Sequence, residues 1–567
     1  MNLRMRASLV SLLAALATLA LPGIVQAQAS PRERLLRLVP TNTGVCLVVS
    51  DLREHWRKTQ DTRWFKTLID SPVGAALARA PEFGKLVRLE QDFKKHFGVD
   101  AAQLRDEILG DAVVFAYTPA QSQRSEDEAG LLLLWARDSP LLAKLVERLN
   151  KAQKASGEVT ELATVEYAGK SYVRRVERNK THYYLLLGNL LAVAGHEKSI
   201  RDVIDALDRE PSSVSPLQRS LRRAGTESAL AALWLNPRAF DADLRGKAKG
   251  TDPQSQVINA FLKYWQALDG IVLSASLAAL PEIRLSVQAR ANDVPEALRA
   301  LFARDYQASE LWQRFPSKSM LRIAGKIDVP AAVEMVRELT PDPAREAIGN
   351  MLRKTLAATL GLDPAKDVLP RLGPDWGICV AAADEAGAFP HVIVALGIQP
   401  GPKPVSAGAA LFKSAQFFAR WAALQHNLAN KEPIDVKTAQ QDANEVLYLE
   451  SRLFPAGMRP ALKLADGYLL LGSSPEALAR FQPGQKVPAM SGAVPLLHLS
   501  MAEISAWLQG RRDKVVSFLQ EKNQLSPATA GQWLDGLLAG LGLFDNLTLA
   551  QRSDAGQVTW ILRLREK

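Results

Sequence analysis
The sequence predicts an α+β protein of two similar tandem domains, each a mainly antiparallel sheet with helices on one face. Three observations predict it. At 567 residues the chain is too long for one ordinary core. A series of local signals runs through the first half and recurs in the same order in the second. Within each series the strands are joined by hairpins, which impose antiparallel pairing. The expected organisation is a signal peptide over 1–29, a first repeat over 30–293, a linker over 294–315 and a second repeat over 316–567. Hydrophobic residues at 47% and charged residues at 23% leave enough apolar surface for both cores to form without staples.

The first residues stand outside the fold. Arg4 and Arg6 give a positive start, Ala7 to Leu21 is apolar, Pro22-Gly23 breaks it, and Ala27-Gln28-Ala29 offers small residues to a signal peptidase. The apolar stretch is shorter than the ~20 residues a spanning helix needs. Cleavage and export to the periplasm or beyond are expected, with no transmembrane segment in the mature chain.

Each repeat opens with a proline-led strand. Pro40-Thr41-Asn42-Thr43 precedes Val45–Ser50 and Asp51-Leu52; Pro316-Ser317-Lys318-Ser319 precedes Met320–Gly325 and Asp328-Val329. Helical spacing follows, at Trp64, Phe65 and Leu68 and again at Ala331, Val333 and Val336. Gly98 with Asp100, and Gly361 with Asp363, read as a helix stop and the next helix cap. Leu109-Gly110-Asp111 and Leu372-Gly373-Pro374-Asp375 then lead into strands Val113–Tyr117 and Gly377–Ala381. These return as Leu131–Trp135 and His391–Leu396 around acidic hairpin tips.

The next elements are amphipathic helices. Pro140–Ala152 carries Leu141, Leu142, Leu145 and Leu149; Phe412–Leu428 carries Phe417, Phe418, Trp421 and Leu424. Both stripes are expected to pack against the sheet. Gly188-Asn189 and Asp466-Gly467 are two-residue turn signals that start strands Leu190–Ala194 and Tyr468–Gly472. Helices Glu197–Leu207 and Pro475–Phe481 follow, the second capped by Ser474 with Pro475 in its first turn. Each repeat closes with a strand (Ala231–Leu235 or Leu496–Ser500), a helical segment and a two-stranded meander. The meanders are Ile271–Leu277 with Ile283–Ala289, and Asn546–Ala550 with Val558–Leu564; the alternation Val558, Trp560, Leu562, Leu564 marks one buried face.

The proline-led strand ending in Asp-Leu, the Asp466-to-Glu476 segment and the repetition after a signal peptide together resemble a family of bacterial exported proteins catalogued only as a domain of unknown function. The first half departs from the motif, with Gly195-His196-Glu197 where the second has Ser473-Ser474-Pro475. The resemblance implies the fold and export. It brings no catalytic residues.

Few residues point to chemistry. His196-Glu197 begins like a zinc-protease helix, but Ile200 stands where the second histidine belongs. The seven histidines are dispersed, and no two have ligand spacing. No hydrolase elbow, phosphate-cradling loop or dinucleotide fingerprint is present. The acidic tips, Glu126-Asp127-Glu128 and Asp384-Glu385, could hold Ca²⁺, and a solvated turn explains them equally well. Cys46 and Cys379 occupy apolar strands at non-equivalent positions and read as buried free thiols rather than a bridge. A net charge of +10 favours anionic surfaces, yet basic residues are mixed with acids and no nucleic-acid motif occurs.

Two readings follow. The first is a non-catalytic binding or scaffold protein of the cell envelope, with no cofactor, whose partner is an envelope protein, a wall polymer or an apolar ligand. The second is an envelope hydrolase assembled from distant residues, for which His182, His196, Asp51 and Asp328 are the first candidates.

Overall fold
The computed structural model describes residues 29–79, 93–120, 128–178, 180–209, 214–277, 281–303, 306–341, 369–384, 388–399, 407–441, 443–482 and 492–567, with single positions 85, 88, 91 and 346. The expected signal peptide, apart from its last residue, lies outside these. So do the Gly361/Asp363 pair and the tip residues Glu126, Asp127 and Glu385.

The chain begins with helix α1 (Pro31–Arg37), whose N-cap Ser30 accepts from the Glu33 amide. Strand β1 (Val45–Ser50) leads to helices α2 (Leu52–Asp61), α3 (Arg63–Asp70) and α4 (Pro72–Arg79). Asp100 forms a capping box with Gln103, and β2 (Ala112–Thr118) and β3 (Ala129–Trp135) make the first hairpin. After α5 (Ser139–Ala155) come β4 (Val159–Tyr167), β5 (Lys170–Glu177), β6 (Thr181–Leu187) and β7 (Leu190–Ala194). Helices α6 (Glu197–Asp208) and α7 (Pro216–Arg223) precede β8 (Ala231–Leu235). Helices α8 (Asp241–Lys247) and α9 (Pro253–Gln266) precede β9 (Leu268–Ser276) and β10 (Glu282–Ala289).

The same succession resumes with α10 (Leu311–Arg314), β11 (Leu321–Lys326), α11 (Val329–Leu339), β12 (Leu372–Ala381) and β13 (His391–Ile398). Next come α12 (Ala407–Ala429), β14 (Asp435–Gln441), β15 (Asn444–Glu450), β16 (Ala461–Ala465), β17 (Tyr468–Gly472) and α13 (Pro475–Ala479). The chain closes with β18 (Val494–Ser500), α14 (Met501–Gln509), α15 (Arg512–Asn523), α16 (Pro527–Gly542), β19 (Phe544–Asp554) and β20 (Gln557–Glu566).

Among the described residues the strands form one 20-stranded sheet. Every ladder is antiparallel. The first half is ordered β4-β5-β6-β7-β3-β2-β1-β8-β9-β10. The second continues β20-β19-β18-β11-β12-β13-β17-β16-β15-β14. The join is the ladder between β10 and β20, from Glu282 opposite Arg563 to Gln288 opposite Gln557. Outwards from this seam, each strand of one half corresponds to the strand ten places later in the chain.

Two-residue turns set the registers. Gly188-Asn189 separates the paired Leu187 and Leu190. Asp466 and Gly467, at φ 51 and 79, join Ala465 to Tyr468; positive φ at both positions is what a type I′ turn requires. A third such turn, Ala168-Gly169, joins β4 to β5.

The mixed α+β class holds, with helices on both faces rather than one. One face buries Cys46, Val48, Val114 and Leu133 beneath α1, α6 and α7. On the other, α5 covers Val113, Leu134, Leu186 and Leu191 at the β4–β7 end, and α12 covers Leu447, Leu462 and Leu469 at the β14–β17 end. Leu186 and Leu191 under α5 alternate with Leu185, Leu190 and Ala192 under α6 on the same strands β6 and β7, so both faces are apolar.

Several expectations shift. The hairpins β4–β5 and β14–β15 had no expected counterpart. Their outer strands β4 and β14 carry charged, polar and small residues with little buried surface, so the period-2 signal is faint. The stripe Phe417, Phe418, Trp421, Leu424 does not pack on the sheet; α12 buries Phe412 and Ala423 instead. On β20, Val558 is buried as expected, but so are Thr559 and Ile561 on the opposite side, because the seam puts β10 and α7 against them. Within 294–315, Leu311 and Phe315 belong to the second core with Ala324 and Cys379.

Cys46 and Cys379 are free and buried. Between β1 and β12 the sheet order runs through β8, β9, β10, β20, β19, β18 and β11. Measured along the sheet this is about 38 Å at the usual strand spacing, far beyond the ~7 Å limit for a disulfide. Burial pushes the Cys46 thiol up to about 12 and Cys379 to about 11, so neither is a nucleophile at neutral pH.

Candidate apolar binding face
Strand alternation sends every second side chain to the face away from α1, α6 and α7. In the first half those positions are Leu47, Phe115, Leu132, Leu233, Leu273 and Leu285, and each remains 36% to 44% exposed. The register makes them neighbours. Leu47 lies opposite Phe115 and Leu233, Phe115 opposite Leu132, Leu233 opposite Leu273, and Leu273 opposite Leu285. Directly opposed residues have Cβ atoms about 5 Å apart, so these side chains form one unbroken apolar row.

The row crosses the seam. Leu285 lies opposite Trp560 and Ile283 opposite Leu562. It continues through Leu549, Leu497, Ile323, Ile378 and Val394 to Leu471. Leu471 is again 44% exposed. A contiguous apolar patch beyond a few hundred Å² is unusual on a water-facing surface and marks a site of binding.

Helices of the two halves meet near the seam. α4 packs on α16, and α9 packs on α11. Trp64 of α3 lies 6.1 Å, centroid to centroid, from Phe544 of β19. On the other side Tyr264 of α9 donates to Glu338 of α11 at 2.8 Å, and Lys263 pairs with the same carboxylate. Between α16 and the sheet is a cavity of about 1060 Å³ lined by Met501, Trp533, Leu537, Leu541, Phe544 and Leu564, with Arg79 among its lining residues. Gly536 and Gly540 also line it, and a Cβ at either would meet nothing within 4 Å. The cavity is large enough for a ligand of drug or lipid-chain size, and mainly apolar, with Arg79, Thr529, Gln532 and Asp535 as its polar members.

The other face of the seam is polar. Ser286 and Thr559 share a hydrogen bond of 2.9 Å, and the Gln288 amide donates to Ser220 O and to Gln557. Glu282 accepts from both Arg284 and Arg563. Burial works to raise the Glu282 pKa, but the two guanidinium hydrogen bonds outweigh it and hold the carboxyl below its usual range.

Residues 69–395, more than half of the chain, match the model of a family described as "Protein of unknown function (DUF3352)". The chain belongs to that family. No curated protein and no solved structure matches it. The DUF3352 match runs from α3 into β13, so it includes β1's neighbours β2 and β8, the strand β10 and much of the apolar row.

In this DUF3352 protein the four residues singled out for hydrolysis do not converge as a set: the β6–β7 register, with Tyr183 opposite Ala194, puts His182 and His196 at the same end of neighbouring strands, but neither carboxylate joins them. Asp51 sits at the start of α2 with φ 54 and makes no side-chain cap; its amide donates to Asp111 O at 2.9 Å. Asp328 caps α11 by accepting from the Ala331 amide at 3.0 Å. His182 on β6 is 3.7 Å from Glu177, and His196 precedes α6, its Nε2 donating to Glu128 O at 2.8 Å. Val45, Leu131 and Ala194 share one end of the sheet, and Ser50, Trp135 and Leu190 the other. His196 therefore lies a strand length, roughly 20 Å, from Asp51. Asp328 belongs to the other half. Of the acidic tips, Asp384 is paired with Arg480, and no group of three potential metal ligands occurs among the described residues.

The apolar row itself was missed. The signal was present: Leu131-Leu132-Leu133-Leu134-Trp135 and Ala231-Ala232-Leu233-Trp234-Leu235 are apolar at every position, which means two apolar faces rather than one.

Proposed function
We propose that this protein is a non-catalytic binding protein of the bacterial cell envelope that holds an apolar, acyl-chain-bearing ligand against the open face of its sheet. The observation that carries this reading is the uninterrupted row from Leu132 to Leu285 and on to Leu471, with the apolar cavity beside it under α16. Of the three partner classes, wall polymers and polar protein surfaces are recognised through hydrogen bonds, which Leu, Phe and Ile cannot supply; an aliphatic chain is recognised through burial, at about 0.8 kcal/mol per methylene. Export by a signal peptide over 1–29 is supported by the basic start, the short apolar stretch and the Ala-Gln-Ala site. Among the described residues no helix is long and apolar enough to cross a membrane. A duplication, 30–293 and 316–567 joined through 294–315, is supported by the recurrence of the strand order. It would place a copy of the open face on each side of the seam.

Native mass spectrometry of the protein purified from its own envelope fraction tests this. The expected result is a mass excess that dissociates as a lipid or fatty acid. A bare chain that also fails to take up added fatty acid would overturn the proposal.

A further inference from the structure
Helix α12 is inside out. A helix lying on a soluble sheet presents apolar residues inward and polar residues outward. α12 packs through Phe412, Ala415, Ala419 and Ala423, and the residues on the opposite side are Phe417, Trp421, Leu424 and Leu428. These are 49%, 40%, 55% and 74% exposed. Spacings of four, three and four place them in one narrow outward arc, with Phe418 beside it at 38%. No aspartate or glutamate occurs anywhere in the helix. Lys413 and Arg420 are exposed, fall along one flank of the arc, and have no ion-pair partner among the described residues.

We propose that α12 is a membrane-surface contact, seating this outward arc in the headgroup region of an anionic bilayer. The argument is complementarity of two kinds. Phe, Trp and Leu side chains directed away from their own fold gain by leaving water at the acyl boundary, and tryptophan is favoured at that depth. Lys413 and Arg420 beside them are attracted to anionic headgroups. A carboxylate on this helix would oppose both effects, and none is present. A second copy of the chain would instead bring the same unpaired cations to meet one another. This attachment does not depend on what fills the cavity under α16, which lies near the seam while α12 lies at the β14–β17 end.

The test is co-sedimentation of the mature chain with vesicles of phosphatidylethanolamine and phosphatidylglycerol, compared with phosphatidylcholine alone. The wild type is expected to partition to the anionic vesicles, less so at high salt. The triple variant Phe417→Ser, Trp421→Ser, Leu424→Ser should lose at least about tenfold in partition with an unchanged melting midpoint, since these side chains make no core contact. The pair Lys413→Gln, Arg420→Gln leaves the arc intact and should remove most of the salt dependence. Failure of the wild type to bind, or equal binding by the triple variant, overturns the proposal. So does a wild-type dimer that the triple variant converts to monomer without any vesicle binding, which would assign the arc to a second copy.

Discussion

Replacing Glu282 by Gln probes the seam that makes two sheets one. The Glu282 side chain is 13% exposed and pairs with Arg284 and Arg563, which are 35% and 45% exposed. Each hydrogen bond to a charged group is worth about 1.5–3 kcal/mol when buried, and the half-exposed guanidiniums reduce that. We expect a total loss of about 2–3 kcal/mol, with an Arg563 coupling near 1 kcal/mol in a double-mutant cycle. At 1.4 kcal/mol per factor of ten this is roughly a 30- to 140-fold loss of protection. The assay is native-state hydrogen exchange, which reads local opening where a global midpoint would average over the whole chain. Amides of β10 and β20 should lose protection, while those of β1 and β2 stay unchanged. The effect has a pH signature. Because the folded carboxyl is held below its ordinary value, its contribution is complete above the unfolded pKa near 4.3 and vanishes as pH falls through the depressed folded value. Wild type and variant should therefore converge in acid. Unaltered protection in β10 and β20 at neutral pH, or uniform loss across the sheet, would refute the reasoning.

Two further outcomes follow from the core. Iodoacetamide at mildly alkaline pH should leave Cys46 and Cys379 unlabelled in the native protein and label both after denaturation, since burial holds both thiols protonated; rapid native labelling, or an internal disulfide, would contradict their placement. Leu35→Ala, at a side chain with 0% exposure between α1 and the sheet, should cost about 2–5 kcal/mol in denaturant unfolding, and a cost below 1 kcal/mol would mean that α1 is not part of the first core.

Much of the architecture was legible because local signals fix it. The turns at Gly188-Asn189 and Asp466-Gly467 demand positive φ, so they announced β6–β7 and β16–β17. Asp100 and Ser474 announced their helices by capping them. The strands Val45–Ser50 and Leu190–Ala194 were bounded to the residue, being apolar runs between turn residues. The seam was not legible. It depends on β10 meeting β20, more than two hundred residues apart, through Glu282, Ser286 and Gln288, and nothing local in Glu282–Ala289 marks it as more than a hairpin strand. The outward arc of α12 was visible as a stripe but given the wrong side. Phe417, Trp421 and Leu424 are larger than Ala415, Ala419 and Ala423, and size alone pointed them inward; the close approach of α12 to the sheet needs the small residues there. The candidate hydrolytic residues failed for the converse reason. Asp328 caps α11 with its side chain, and Asp51 begins α2 at a left-handed φ that aspartate tolerates; neither local role can be told from a catalytic one by sequence position.

The most direct test of the apolar-ligand account is photo-cross-linking with a fatty acid that carries a reactive group along its chain, followed by peptide mapping. The account predicts adducts on α16 and β20, around Trp533, Leu537 and Leu564, and on the row at Leu273 and Leu285, all abolished by excess unlabelled fatty acid. Adducts that scatter over the surface, or that excess fatty acid does not displace, would contradict it.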